Sequence, residues 1–197
     1  KKNIWIGTDE GIYIYAYATE TFTYFDLTTP NNVRITSIVN HILQDKDGNL
    51  WFSTNGQGLF RYNLSKNYLE QYEFTSAFGI VASTMADSDN QIWALTNQGE
   101  SGVYKLNKAE NKFEPFGLLY NAGNHHSQAL AMLEDSEQTL WLGTWECGLQ
   151  KIDKYTRQTT TYLHPTDGKG VTHIHSLMEY APHQLLIGSD DGLLLFN

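Results

Sequence analysis

The feature that most limits what this chain can fold into is a motif that returns five times. Ile4-Trp5-Ile6-Gly7-Thr8 recurs as Leu50-Trp51-Phe52-Ser53-Thr54, Ile92-Trp93-Ala94-Leu95-Thr96, Leu140-Trp141-Leu142-Gly143-Thr144 and Leu185-Leu186-Ile187-Gly188-Ser189. The tryptophan column runs through positions 5, 51, 93 and 141 to 186, where leucine replaces it, in steps of 46, 42, 48 and 45. A second motif follows each copy: Gly11-Ile12-Tyr13-Ile14-Tyr15, Gly58-Leu59-Phe60-Arg61-Tyr62, Gly102-Val103-Tyr104-Lys105-Leu106, Gly148-Leu149-Gln150-Lys151-Ile152 and Gly192-Leu193-Leu194-Leu195-Phe196. Coordinated motifs at near-constant spacing mark an architecture in which each unit buries a face against its neighbour.

Each repeat holds four strand-like runs. In the second copy, strand A is Thr36–Gln44, strand B Leu50–Thr54, strand C Gly58–Asn63 and strand D Tyr68–Phe74. Asp45-Lys46-Asp47-Gly48-Asn49 and Asn55-Gly56-Gln57 supply turns, with residues that tolerate positive φ. No long run has helical periodicity with caps. Four short antiparallel strands per repeat predict an all-β fold of β-propeller blades. The expected organisation is a single propeller fragment over residues 1–197, with repeats near 3–26 (partial), 33–74, 79–116, 126–163 and 172–197 (partial). That gives four A, five B, five C and four D strands, 18 in all, or four and a half blades. Propellers close with ~4–8 blades. The expected form is therefore an open arc of a larger ring; pairing of the raw ends, with each other or with a second copy, is the alternative.

Composition excludes several functions. The formal charge of −9 and the absence of a basic run argue against nucleic-acid binding. No stretch is apolar and long enough to insert in a bilayer. The single cysteine, Cys147, has no partner for an internal disulfide and decides nothing about compartment. The chain starts Lys1-Lys2-Asn3 rather than with Met, which reads as an excised or mature piece.

The run Ile42-Leu43-Gln44-Asp45-Lys46-Asp47-Gly48-Asn49-Leu50-Trp51-Phe52-Ser53-Thr54, with Gly56-Gln57-Gly58-Leu59-Phe60-Arg61-Tyr62-Asn63 after it, resembles the two-component regulator propeller repeat. Glu134-Asp135-Ser136 through Thr144 is similar. The third copy departs at Ala94-Leu95, and the fifth has Ala181-Pro182-His183-Gln184 in place of the Asp-x-x-Gly turn. The resemblance implies the periplasmic sensor region of hybrid two-component systems of Bacteroidetes. Two large propellers of seven-bladed type and an immunoglobulin-like β domain would lie outside the inner membrane. A membrane helix, histidine kinase, receiver and DNA-binding domain would follow. It also implies a response to oligosaccharides from complex glycans. The motif itself is structural, so no functional residue carries over.

In a propeller the D–A connections and the B–C loops share one face, where loops vary on a rigid scaffold. The candidate ligand-binding residues there are Trp145, Glu146, Gln57, Glu100, Arg34, His125, His126 and His173. Trp145 lies outside the regular tryptophan column; beside Glu146 it could stack on a sugar ring while a carboxylate takes hydroxyl hydrogen bonds. Packing against a neighbouring blade or loop is its competing reading. His173 and His175 are two apart on a strand and face one side, but no Cys or acidic residue stands at metal-ligand spacing from them. Arg34 could meet an anionic sugar or simply be solvated. Asp45 and Asp47 recur with the repeat, which favours a structural role over a glycosidase pair. Asp190 and Asp191 are adjacent in a turn. No nucleophile signature appears, and Glu146 beside Cys147 disfavours a thiolate.

The resulting expectation is a non-catalytic sensory segment with no metal or cofactor. Its partners would be an oligosaccharide and the remaining propeller and β domains of a parent sensor, with a homodimer as a further option. A pure scaffold or protein-interaction role is the alternative, and a propeller lyase or glycosidase the third reading.

Overall fold

The computed structural model describes residues 3–74, 79–96, 102–118, 128–164, 168, 170–171 and 173–197. Among them lie 18 strands and no helix. The first sheet has three strands, β1 (Asn3–Thr8), β2 (Gly11–Ala16) and β3 (Thr21–Tyr24), in the order β1-β2-β3. The second is β4 (Val39–Gln44), β5 (Leu50–Thr54), β6 (Leu59–Asn63) and β7 (Tyr68–Tyr72), in sequential order. The third is β8 (Val81–Ala86), β9 (Ile92–Thr96), β10 (Gly102–Asn107) and β11 (Lys112–Leu118). The fourth is β12 (Ala129–Glu134), β13 (Leu140–Thr144), β14 (Leu149–Ile152) and β15 (Thr159–Tyr162). The fifth is β16 (Ile174–Ala181), β17 (Gln184–Ser189) and β18 (Gly192–Phe196). These are propeller blades in the expected strand order, the first without an A strand and the last without a D strand. The chain divides into two compact units, Lys1–Thr84 and Met85–Asn197.

The A–B turn shows why the motifs recur together. In the second blade Asp45 Oδ1 accepts the backbone N–H groups of Asp47 (3.0 Å) and Asn49 (2.8 Å), and Oδ2 accepts the indole N–H of Trp51 (2.8 Å). Asp87 does the same with Asp89, Gln91 and Trp93, and Asp135 with Glu137, Thr139 and Trp141. The carboxylate thus closes the turn and satisfies an indole donor that burial would otherwise leave unpaired. A cation on strand C lies over each of these rings: Arg61 Cζ 5.5 Å from Trp51, Lys105 Nζ 5.2 Å from Trp93 and Lys151 Nζ 5.5 Å from Trp141. The fifth copy lacks both the tryptophan and the aspartate, so neither is left without its partner.

The B–C turn is held by its own latch. Thr54 Oγ1 donates to Gly58 O and Thr144 Oγ1 to Gly148 O, both at 2.7 Å, as Thr8 does to Gly11 and Ser189 to Gly192. Gly58 has φ +75°, and a Cβ there would lie 2.4 Å from the Tyr72 carbonyl oxygen. Strand C starts at Leu59, one residue later than its motif. Strand A starts at Val39 rather than Thr36, because the Thr36 and Ser37 N–H groups donate to Gln57 Oε1 (2.8 and 3.0 Å) instead of to a ladder. Strand D ends at Tyr72 rather than Phe74.

Within each unit, blades pack tryptophan face against the opposite face of the next blade. Trp5, Ile12 and Ile14 of the first blade meet Leu50, Phe52, Phe60 and Leu69 of the second. Trp93, Leu95 and Val103 meet Leu140, Leu142 and Ile152, and Trp141 and Leu149 meet Leu185, Ile187, Leu194 and Phe196. Polar clamps reinforce the last two junctions. Ser88 donates its hydroxyl to Glu134, and Ser136 donates both its N–H (2.8 Å) and its hydroxyl (2.6 Å) to Glu179. The buried ammonium of Lys154 bridges Glu134 and Asp87, the latter at 3.4 Å. Burial lowers the pKa of Lys154, but its bonds to Glu134 and Asp87 outweigh this and hold it above the ordinary value.

Replacing Asp45 by Ala removes four hydrogen bonds and orphans a buried indole N–H. Urea unfolding is expected to register a loss of about 2–3 kcal/mol. A pH effect follows from Asp87. Burial raises its pKa, while the Trp93 indole, the Gln91 N–H, Lys154 and the Asp89 N–H pull it down further, to a net value below the ordinary one. A carboxyl depressed in the folded state contributes stability that is complete above its unfolded pKa of about 4 and vanishes as pH falls through the folded value. The unfolding midpoint is therefore expected to fall on acidification below about pH 4, with a shallower fall in Asp87→Asn.

Candidate functional site

The repeat places Asn55, Trp145 and Asp190 in the same slot, the first residue of the B–C loop after the Thr or Ser that ends strand B. In that slot the backbone N–H reaches the connector leading into the A strand of its own blade: Asn55 N to Ile38 O (2.9 Å), Trp145 N to Gln128 O (2.9 Å) and Asp190 N to His173 O (3.4 Å). The same slot also forms a β-bridge with the A-strand approach of the following blade, Asn55 with Ile80 and Trp145 with His173. Trp145 and Asp190 therefore converge on His173 from successive blades.

The side chains complete what the backbone begins. The His173 imidazole stacks on the Trp145 ring, with centroids 3.7 Å apart and planes 28° from parallel. Its Nδ1 hydrogen-bonds Asp190 Oδ2, and His175 Nε2 lies 2.6 Å from Asp190 Oδ1. Trp145 remains 40% exposed, and Asp190 and His175 are exposed too. Bonds from His173 and then His175 hold the Asp190 carboxyl below the usual range. With neutral imidazoles these bonds place the proton on Nδ1 of His173 and Nε2 of His175, leaving the other ring nitrogens as acceptors. The array combines an aromatic platform, two imidazoles and a carboxylate on the loop face. Among the described residues neither imidazole bonds a serine, threonine or cysteine, so the His–Asp pairs are not joined to a nucleophile, and no group of three His, Cys, Asp or Glu could hold a metal ion.

The other expected residues divide among three situations. Glu146 is exposed in the turn beside Trp145, with φ +69°. Gln57 is engaged with backbone, accepting from Thr36 and Ser37 and donating to Arg34 O (2.9 Å), so it clamps the connector. Arg34 pairs with Asp26 at 2.8 Å, both exposed. These two belong to the first compact unit, whereas Trp145, Glu146 and His173 belong to the second. Glu100, His125 and His126 lie outside the described residues. Cys147 is buried, its N–H donating to Thr144 Oγ1 (3.0 Å). Sequence reasoning placed His175 beside His173 but did not join Asp190 to the pair. The shared B–C slot of Trp145 and Asp190 was the available signal.

Residues 32–56, from the D–A connector through strands A and B into the B–C loop, match the two-component regulator propeller family. That stretch of the second blade carries the two-component regulator propeller repeat. A histidine kinase of Formosa agariphila is 27% identical over 206 residues, covering 98% of this propeller segment and 15% of the kinase. The extracellular domain of a hybrid two-component system from B. thetaiotaomicron is 25% identical with a TM-score of 0.77, covering 99% of the segment and 24% of that chain. The extracellular domain of a second such system from the same organism is 20% identical with a TM-score of 0.76, covering 99% and 25%. The propeller segment thus spans about a quarter or less of these relatives, and its architecture is that of hybrid two-component sensor domains.

The Asp190 carboxyl is expected to titrate at a lower pH than an exposed aspartate in side-chain ¹³C NMR. In the double variant His173→Ala, His175→Ala it should return toward the ordinary value, since both lowering bonds are then gone.

Proposed function

We propose that this segment belongs to the periplasmic sensory propeller of a hybrid two-component regulator and contributes a non-catalytic surface for glycan-derived oligosaccharides. The observation that carries this reading is the exposed array of Trp145, His173, Asp190 and His175 on the loop face. The part of the indole left exposed beside the stacked His173 ring suits the apolar C–H face of a pyranose, while a carboxylate and imidazole nitrogens accept from its hydroxyls. The extracellular domains among the relatives support the compartment. The absence of a nucleophile on the His–Asp pairs among the described residues supports binding over turnover. Signalling follows if the ligand binds one geometry of the sensor better than another, since only that difference can move the equilibrium the kinase reads.

Calorimetric titration of the chain with a panel of neutral and acidic oligosaccharides tests this. A sugar that binds the wild type should bind Trp145→Ala and Asp190→Ala at least about tenfold more weakly, the equivalent of ~1.4 kcal/mol. Equal affinity in both variants would remove the site from the ligand-binding role, and product release from any sugar would favour an enzyme.

A further inference from the structure

The third blade carries a cleft at the end of its sheet where the A–B and C–D turns lie, away from the B–C loops. Lys105, Lys108 and Arg157 line it, the last from the C–D turn of the fourth blade. The cleft holds about 370 Å³, and the fourth blade repeats it at about 390 Å³. Lys151 there takes the register position of Lys105 opposite the column tryptophan, and Thr160 that of Glu114 on strand D. Asp153 takes the place of Asn107, since each Oδ1 accepts two backbone N–H groups of its C–D turn. Charge separates the two clefts. The fourth-blade cleft sets Lys151 and Lys154 against Glu137 and Asp153, and Lys154 is already bonded to Glu134 and Asp87. Among the described residues, the third-blade cleft sets three cations against one carboxylate, Glu114.

Those three cations are held in place without being neutralised. Glu114 stands opposite Lys105 as Glu70 stands opposite Arg61 in the second blade. Arg61 pairs with Glu70, but Glu114 Oε1 accepts the Asn107 side-chain amide instead (2.9 Å). Ion pairs among the described residues involve none of Lys105, Lys108 and Arg157. Lys105 Nζ rests 5.2 Å from the Trp93 ring centre and Arg157 Cζ 5.0 Å from that of Phe116, contacts that orient a cation and keep its charge. Lys108 Nζ donates to Asn90 O (2.8 Å), which leaves two of its three N–H groups for a ligand. In a chain of formal charge −9, a cleft with surplus positive charge is a local inversion of the field, and such a cleft concentrates anions.

We propose that the third-blade cleft binds an oxyanion, a sulfate, phosphate or carboxylate group, either free or carried on a small sugar. The Arg157 guanidinium supplies paired donors in one plane, and Lys105 and Lys108 supply point charges beside it. The repeat builds the cleft, and three substitutions within it set the charge: Asn107 for the aspartate of the fourth blade, an unbonded Lys108 for the ion-paired Lys154, and Arg157 brought in from the neighbouring turn. The site lies at the other end of the blades from Trp145 and His173, so it stands whether or not those loops take a sugar.

Side-chain ¹H–¹⁵N NMR of the whole chain near neutral pH tests this, because Arg34, Arg61 and Arg157 are its arginines and their Nε–H signals report separately. The probes are inorganic sulfate, inorganic phosphate, glucuronate and a glucose sulfate ester, with glucose as the neutral control and ionic strength held constant. At least one oxyanion should shift the Arg157 signal saturably, with a Kd of about 1 mM or lower, and leave Arg61 in place; glucose should move neither. Lys108→Gln should weaken that binding about three- to fivefold, and Lys108→Arg should retain it. Lys66→Gln, on the matching C–D turn of the second blade, should change nothing. Lys66 and Lys108 are exposed, so thermal unfolding of all three variants should match the wild type. Tighter binding of the sulfate ester than of inorganic sulfate would identify an acidic sugar as the ligand, and equal binding the oxyanion itself. An Arg157 signal that no probe saturates, that sodium chloride shifts equally, or whose response survives Lys108→Gln unchanged overturns the proposal.

Discussion

The bond between the A–B turn carboxylate and the tryptophan indole is the contact on which the second, third and fourth blades depend. One aspartate closes the turn through two backbone N–H groups and accepts the indole proton with its second oxygen. The bond lets a large ring lie buried without an orphaned donor. With the ring so oriented, one side lies under the strand-C cation and the same sheet face supplies the side chains that meet the next blade within a unit. Loss of Asp and Trp together in the fifth copy is the behaviour of a coupled pair: either residue alone would leave a polar group unsatisfied, while the Leu186 solution needs neither.

The loop face follows a different logic. Its backbone is as regular as the rest, because Asn55, Trp145 and Asp190 make the same bond to the connector. Its side chains are not, and that separation lets a repeat fold carry a particular surface. Asn55 and Trp145 hold equivalent bridges, yet among the described residues it is the fourth and fifth copies that supply an indole, two imidazoles and a carboxylate that meet. In the first unit the corresponding loop spends its polar capacity on itself, with Gln57 clamping residues 34–37.

Between blades, burial of apolar faces is supplemented by charge where the sequence allows it. Lys154, Asp87 and Glu134 form a buried triad whose ions are paired and hydrogen-bonded, the condition under which such groups are tolerated in an interior. Glu179 and Ser136 repeat the clamp one blade on.

The blade architecture was legible in the sequence because a period of turns, glycines and tryptophans is a local property. The order of strands within a blade and the structural role of Asp45 follow from residues within one repeat. At the start of strand A a long-range acceptor intervened, as Gln57 drew Thr36 and Ser37 out of the ladder. The candidate site was legible in part: Trp145 and His173 stood out, but Asp190 read as one of two adjacent turn residues, and Gln57 as a candidate ligand-binding residue. Which groups meet across 17 or 28 residues of chain depends on how successive blades stack. The repeat alone determined that these loops lie on one face. Only the packed structure decided that one carboxylate would hold two imidazoles beside an exposed indole, because side-chain convergence between blades is set by tertiary contacts that no local pattern encodes.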